Sequence, residues 1–173
     1  MPQLSLSFRQ AFNAEATDDV PIVLVALTPN DGGETVYLSS DPTQRLSEDP
    51  LRYGTISKGP DGQTREYEFV LMAMAWPDDQ EASPPATSLT FDNVAEDMAA
   101  TARSVTPGTQ ADVVMSLVTS SDPDFVEETY LMKATGATYD AQSVSLSVSR
   151  EPIETEPYPA QRMTKQRFPG QFR

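Results

Sequence analysis

The stretch from Ser88 to Ser121 constrains the fold most, because it predicts a strand, a capped helix and another strand in succession. Asn93 can accept hydrogen bonds from the free amides of a first helical turn, and Glu96, three residues later, can bond back. Apolar residues then recur at helical spacing as far as Val105, and Pro107-Gly108 ends the pattern. Such a helix must lie across a sheet, and the flanking strands that supply one are Leu89–Phe91 and Ala111–Thr119.

Most of the remaining apolar patterns predict strands. The run from Pro21 to Thr28 is apolar on both sides, which is typical of a strand covered on both faces, and a turn at 30–33 returns the chain along 35–38. Ser143–Ser149 alternates strictly, so its valines and its leucine are expected to point inward. The other predicted strands are 65–76, the longest, with apolar odd-numbered positions, and 125–135, with Tyr130, Met132 and Ala134 on one side.

The first residues predict a short amphipathic helix, capped by Ser7 with Gln10 and ending near residues 17–19. Its apolar side is formed by Leu4, Phe8, Ala11 and Phe12. Proline-containing stretches without a period, at 39–57 and 77–85, are expected to be loops. Turns are expected at 59–62, 121–124 and 139–142.

These elements predict a mainly β fold, an antiparallel β-sandwich or partly open barrel with one packed α-helix and the short N-terminal helix. The predicted domain covers residues 1–150. From Glu151 onward the period disappears and prolines keep the chain extended, so residues 151–173 are expected to form a proline-rich, basic C-terminal arm.

The absence of cysteine and histidine from the 173 residues excludes disulfides, thiolate chemistry, Cys-ligated iron–sulfur clusters and the usual zinc sites. It also removes the commonest general base near neutral pH. We therefore expect no catalytic residues, no cofactor and no metal. The acids Asp122, Asp124, Glu127 and Glu128 lack the spacing of a calcium loop and are expected to form a solvated turn. Trp76, at a strand end, is expected in the core or at its rim.

Charge is distributed unevenly along the chain. Residues 160–173 contain four cations and no acid, so the rest of this chain of net charge −14 carries −18. The acidic body repels nucleic acid and anionic membranes, and no signal peptide or membrane-spanning run is visible. The basic end predicts docking on an acidic surface of a neighbouring copy, with a strap over its own body or a solvated tail as alternatives. The candidate interface residues are Tyr158, Arg162, Met163, Lys165, Arg167, Phe168 and Phe172.

Several short segments resemble, in order, a family of uncharacterised tail proteins of tailed bacteriophages, the DUF1833 family. The segments near the start are Phe8-Arg9-Gln10-Ala11 and Pro21-Ile22-Val23-Leu24-Val25. The later ones are Leu89-Thr90-Phe91-Asp92-Asn93-Val94, Ser121-Asp122-Pro123-Asp124 and Tyr139-Asp140-Ala141. The most specific are 156–164 and Phe168-Pro169-Gly170.

The resemblance implies a minor tail protein at the distal end of a long flexible tail. Distal tail proteins of such phages are tail-tube-like β-sandwiches that assemble as rings, typically hexameric, between the tail tube protein and the tail hub protein. DNA passes through the bore without sequence-specific binding. The implied location is the virion tail, after synthesis in the host cytoplasm. Two alternatives stay open: a receptor-binding module using loops 39–57 and 77–85, and a carboxylate-based tail-associated hydrolase.

Overall fold

The computed structural model describes residues 4–30, 32–77, 86–92, 111–140, 143–150, 166, 167 and 170. In this part of the chain, one short helix accompanies ten strands, so the fold is mainly β, as predicted. The elements are α1 (Leu6–Asn13), β1 (Pro21–Pro29), β2 (Val36–Ser39), β3 (Gln44–Glu48), β4 (Leu51–Ser57), β5 (Arg65–Phe69), β6 (Met72–Met74), β7 (Ala86–Asp92), β8 (Ala111–Thr119), β9 (Glu128–Tyr139) and β10 (Ser143–Ser149).

The ten strands form one mixed sheet in the order β3-β4-β5-β2-β1-β8-β9-β10-β7-β6. Neighbouring strands are antiparallel except β2 and β5, which run parallel, so the expectation of a purely antiparallel arrangement is corrected. The run 65–74 closes the sheet on itself. Its Val70 amide donates to the carbonyl of Ser39, the last residue of β2, at 3.0 Å, and its Leu71 carbonyl accepts from the Asp92 amide of β7 at 3.0 Å. The partly open barrel is therefore the better of the two predicted descriptions.

The inner face of this curved sheet is the main hydrophobic core. Val25 of β1 and Val113 of β8 are 0% exposed, and Phe91 of β7 is 1% exposed. Alternate residues of β10 reach the same core, because successive side chains of a strand point to opposite faces. The predicted inward positions are confirmed here: they are Val144, Leu146, Val148, Met132 and Ala134, with Tyr130 half-buried beside them.

The predicted strand 65–76 divides into β5 and β6, and its buried side changes where it divides. Tyr67 is buried on the odd-numbered side, as expected, but Leu71 is 57% exposed, and Val70 and Met72 turn toward the core instead. The reason is the change of partner. β5 pairs with β4 and β2, whereas β6 pairs with β7, so the chain must rotate between them.

The prediction of a loop over 39–57 is wrong, since these residues contain the β3–β4 hairpin, which turns at a cis Asp49-Pro50 bond. This hairpin lies at the edge of the sheet, where both sides are partly wet and leave no apolar period in the sequence. Gly54 is required where β4 meets β5. A Cβ there would overlap the Tyr67 carbonyl oxygen and lie 2.9 Å from Leu46 Cδ1.

The N-terminal helix is confirmed, but its cap is Ser5 and not Ser7. The Ser5 hydroxyl accepts from the Phe8 amide at 3.1 Å, and it donates to Glu127 Oε1 at 2.6 Å. The helix ends at Asn13, earlier than expected, and Phe8 is its buried residue. The predicted helix 93–105 and the loop at 78–85 lie outside the described residues.

Candidate subunit-interaction site

The predicted interface residues of the arm lie outside the described part of the chain, with one exception. Arg167 lies in a turn with Gln166, and both side chains are exposed. The six that lie outside are Tyr158, Arg162, Met163, Lys165, Phe168 and Phe172. The structure therefore bears on this interaction through the body, which shows where the arm leaves and which surfaces could receive it.

The arm follows Arg150, which is exposed just beyond the end of β10. In the sheet register Ser149 is paired with Lys133 of β9, and the same row continues through β8 to Thr28 of β1. The Thr28 hydroxyl in turn lies 3.0 Å from that of Thr35, beside the β1–β2 turn. Arg150, which the arm follows, therefore lies at the same end of the strands as the β1–β2 turn.

An open groove of about 420 Å³ begins at this turn and runs along β2 to β5. Its charged lining consists of three glutamates and one arginine, which gives a net charge of −2. Its apolar lining includes one residue of β2 and one of β3. We call this surface the acidic groove; it is defined by Glu34, Glu66, Glu68, Arg52, Val36 and Leu46.

The sequence places the groove glutamates by strand alternation. Glu66 and Glu68 are two residues apart in β5, so they point to the same face. Glu68 is paired with Gly54 of β4, whose lack of a Cβ allows the two strands to approach closely. Both glutamates and Glu34 are exposed. The ion pairs among the described residues do not involve them: these pairs are Arg45–Glu48, Lys58–Asp124 and Arg65–Asp61.

The opposite face of β5 holds a compact cluster that reaches the lining of the groove at Tyr37. Tyr67 is buried and meets the Tyr37 ring edge-on at 5.4 Å between centroids. The Arg65 guanidinium lies 5.0 Å from the centre of the Tyr37 ring. Its hydrogen bond to Asp61 holds the pKa of that carboxyl below its usual value, and burial raises the pKa of Tyr67. This side of β5 is packed, whereas Glu66 and Glu68 on the other side are exposed to solvent.

Three of the four acids at 122–128 make side-chain contacts. Asp124 accepts from the Lys58 amide at 3.0 Å and pairs with its ammonium group at 3.2 Å. Glu127 binds Ser5 at the helix cap, and Glu128 accepts from the Tyr130 hydroxyl. The predicted turn at 121–124 is confirmed, and Asp124 links it to Lys58, whereas Asp122 is exposed. Within the described ranges, no group of three or more such side chains is placed to hold a metal ion.

Trp76 lies at the rim, where it is 38% exposed and stacks at a tilt on Tyr130, with 5.5 Å between ring centroids. Neither residue borders the acidic groove. Glu66 and Glu68 alternate with apolar residues in the sequence, but no groove was predicted, because part of its lining, Leu46 and Arg52, comes from the segment predicted as a loop. The alternation of acids along β5 was the available signal.

The chain matches no protein-family model, and no curated protein matches it significantly. Across the described residues, no helix has the length and apolar character needed to span a bilayer.

Proposed function

We propose that this chain is a ring-forming structural component of a bacteriophage tail, at its distal end, in which the basic arm of each copy binds the acidic body of the next. The ring would join the tail tube to the hub or baseplate and would line the DNA channel. The observation that carries this proposal is the separation of charge within one chain, +4 over residues 160–173 against −18 elsewhere.

The charge separation favours contacts between copies. Bodies of charge −15 (residues 1–150) repel one another, so close packing around a ring requires compensating cations at each contact. The arm supplies cations together with large apolar side chains, a combination typical of interfaces with apolar anchors and a charged rim. Charge complementarity also fixes which surfaces meet.

The same charge fits a channel through which DNA passes. A wall of positive charge would bind phosphates and slow the passage of DNA, whereas an acidic wall would not. The resemblance of the segments at 8–11, 21–25 and 156–164 to phage tail proteins supports the same assignment. The proposal includes no catalysis. The three glutamates of the acidic groove are all solvent-exposed, unlike the desolvated acid that carboxylate-based glycoside hydrolysis uses.

Mass in solution tests the proposal. Native mass spectrometry of the full chain should give a ring near six times 18.9 kDa, or an assembly formed on addition of tail neighbours. Deletion of residues 157–173 should leave a monomer with the circular dichroism spectrum of a folded β protein. If the truncated chain retains the mass of the full chain, the arm does not link copies and the proposal fails.

A receptor-binding module is the second candidate, and the β3–β4 hairpin favours it. This ordered hairpin presents Leu51 at 59% exposure and Tyr53 at 41% exposure. Leu51 and Tyr53 are two residues apart in β4, so they lie on the same face and could contact a receptor together. In this case, the double variant Leu51→Ser with Tyr53→Ser would abolish adsorption of virions to host cells while leaving the subunit mass unchanged. A loss of ring mass in that variant would instead place the hairpin at a subunit contact.

A further inference from the structure

We propose that the acidic groove is the receptor site for the basic arm of the adjacent copy. This inference rests on the proposed ring and names the surface that completes it. The groove lining comes from the stretch between Pro29 and Glu68. The arm begins on the far side of β1, after Arg150.

Charge complementarity favours the arm as the occupant of the groove. The groove carries net charge −2 through exposed glutamates, and residues 160–173 carry +4. The groove volume of about 420 Å³ lies within the range of roughly 300–1,000 Å³ in which proteins hold ligands. Val36 and Leu46 offer apolar contact to an aromatic anchor, while Glu66 and Glu68 can pair with guanidinium groups.

The adjacent copy is the donor because an arm seated in its own groove would leave nothing to link the subunits. Arg150 and the β1–β2 turn lie at the same end of the strands. An arm that follows Arg150 therefore starts at the level where the groove opens. When copies are arranged side by side around an axis, the exit of one and the groove of the next lie at equal height. Each contact is then head-to-tail and repeats around the ring.

Charge reversal in the full chain tests the assignment. The variant Glu66→Lys with Glu68→Lys should raise the subunit concentration needed for half-assembly about tenfold or more. Adding Arg162→Glu and Arg167→Glu to the same chain should restore assembly, because the two charge patterns are exchanged. Circular dichroism of each variant checks folding, which the exposed positions of both glutamates favour.

The matched control reverses two acids elsewhere. Glu15 and Asp18 are exposed beyond α1 and outside the groove, so Glu15→Lys with Asp18→Lys changes the net charge equally. Assembly of this control should stay within about twofold of the parent. If the control weakens assembly as much as the groove variant does, or if the exchanged variant stays dissociated, the groove is not the receptor. The proposed ring would survive that result.

Disulfide trapping tests whether the arm in the groove comes from the same chain or from an adjacent copy. The chain has no native cysteine, so each disulfide must form between the introduced residues. One population carries Val36→Cys in the groove, and a second, ¹⁵N-labelled population carries Gln166→Cys in the arm. Mixing them under mild oxidant should give a disulfide dimer that contains one chain of each kind. A third chain carries both cysteines. If it forms only an intrachain disulfide, and the mixed populations give no mixed dimer, the arm binds its own body and the inference is overturned.

Discussion

The inner core and the flank formed by β3, β4 and β5 are built by different means. The inner core is apolar and closed: Val25, Val113 and Phe91 are at most 1% exposed. The flank is tied to the rest of the body by hydroxyls. The Ser57 hydroxyl donates to the Pro123 carbonyl at 2.6 Å, and the Ser39 and Thr55 hydroxyls lie 2.7 Å apart.

The contrast between core and flank shows which part of the protein can carry a binding surface. The core is stabilised by burial of apolar area, which leaves no freedom to place charges. In the flank, hydrogen bonds and the Tyr37–Tyr67 contact occupy one face of β5, so the other face is free to present Glu66 and Glu68. The flank therefore carries the candidate site, and the core holds it in position.

The largest expected effect is in the core. Phe91→Ala should lower the free energy of unfolding by about 3–5 kcal/mol, because it removes a buried ring and leaves a cavity. Urea denaturation followed by circular dichroism measures it. A loss below about 1 kcal/mol would show that the inner core does not dominate stability.

A smaller loss is expected in the flank at Gly54. A Cβ there overlaps the Tyr67 carbonyl oxygen, so Gly54→Ala should separate β4 from β5 and destabilise by about 3 kcal/mol. Gly136→Ala is the matched control, since a Cβ there meets nothing within 4 Å, and it should be near neutral. Equal effects of the two substitutions in urea denaturation would contradict the close approach of the two strands.

Each hydrogen bond made by a hydroxyl of the flank should contribute less to the free energy of unfolding. Ser57→Ala leaves the Pro123 carbonyl and the Gly59 amide without their hydrogen-bond partner and should cost about 2 kcal/mol. Ser147→Ala, at an exposed position of β10, should change stability by no more than about 0.5 kcal/mol. Thermal or urea unfolding compares the pair. No difference between them would mean that apolar contacts alone hold the flank.

The smallest effect concerns pH. Burial raises the pKa of Tyr67 above its ordinary value of 10.0, so the folded state favours the neutral phenol. This contribution is fully present below pH 10 and is lost as pH rises through the folded pKa. Stability of the parent should therefore fall more steeply above pH 10 than that of Tyr67→Phe. Parallel curves for the two proteins would show that Tyr67 does not titrate against burial.

Sequence predicted the core better than the flank, for a physical reason. Where one face of a strand is dry, alternation records it, and Ser143–Ser149 and Ala111–Thr119 were predicted with correct bounds. In the β3–β4 hairpin both sides are partly wet, so no alternation marks the strands. The prediction of one continuous strand over 65–76 is wrong because the pairing partner changes at Val70. The alternation of apolar residues within a strand does not reveal which strand pairs with it.

The candidate site was predicted only in part. The uneven charge predicts that the arm docks on an acidic surface, which stays a prediction, and β5 contributes two of the acids that line the acidic groove. The groove itself needs β2, β3, β4 and β5 side by side, a juxtaposition of segments distant in sequence. Long-range strand order of this kind lies beyond what composition and spacing determine.

Sedimentation of the full chain against ionic strength tests the central claim that opposite charges link copies. The Debye length falls from roughly 10 Å at 0.1 M salt to about 3 Å at 1 M, so exposed ionic contacts weaken over this range. We expect a ring-sized particle at low salt that dissociates toward 18.9 kDa at high salt. A particle of 18.9 kDa at every salt and protein concentration, with or without tail neighbours, would contradict it.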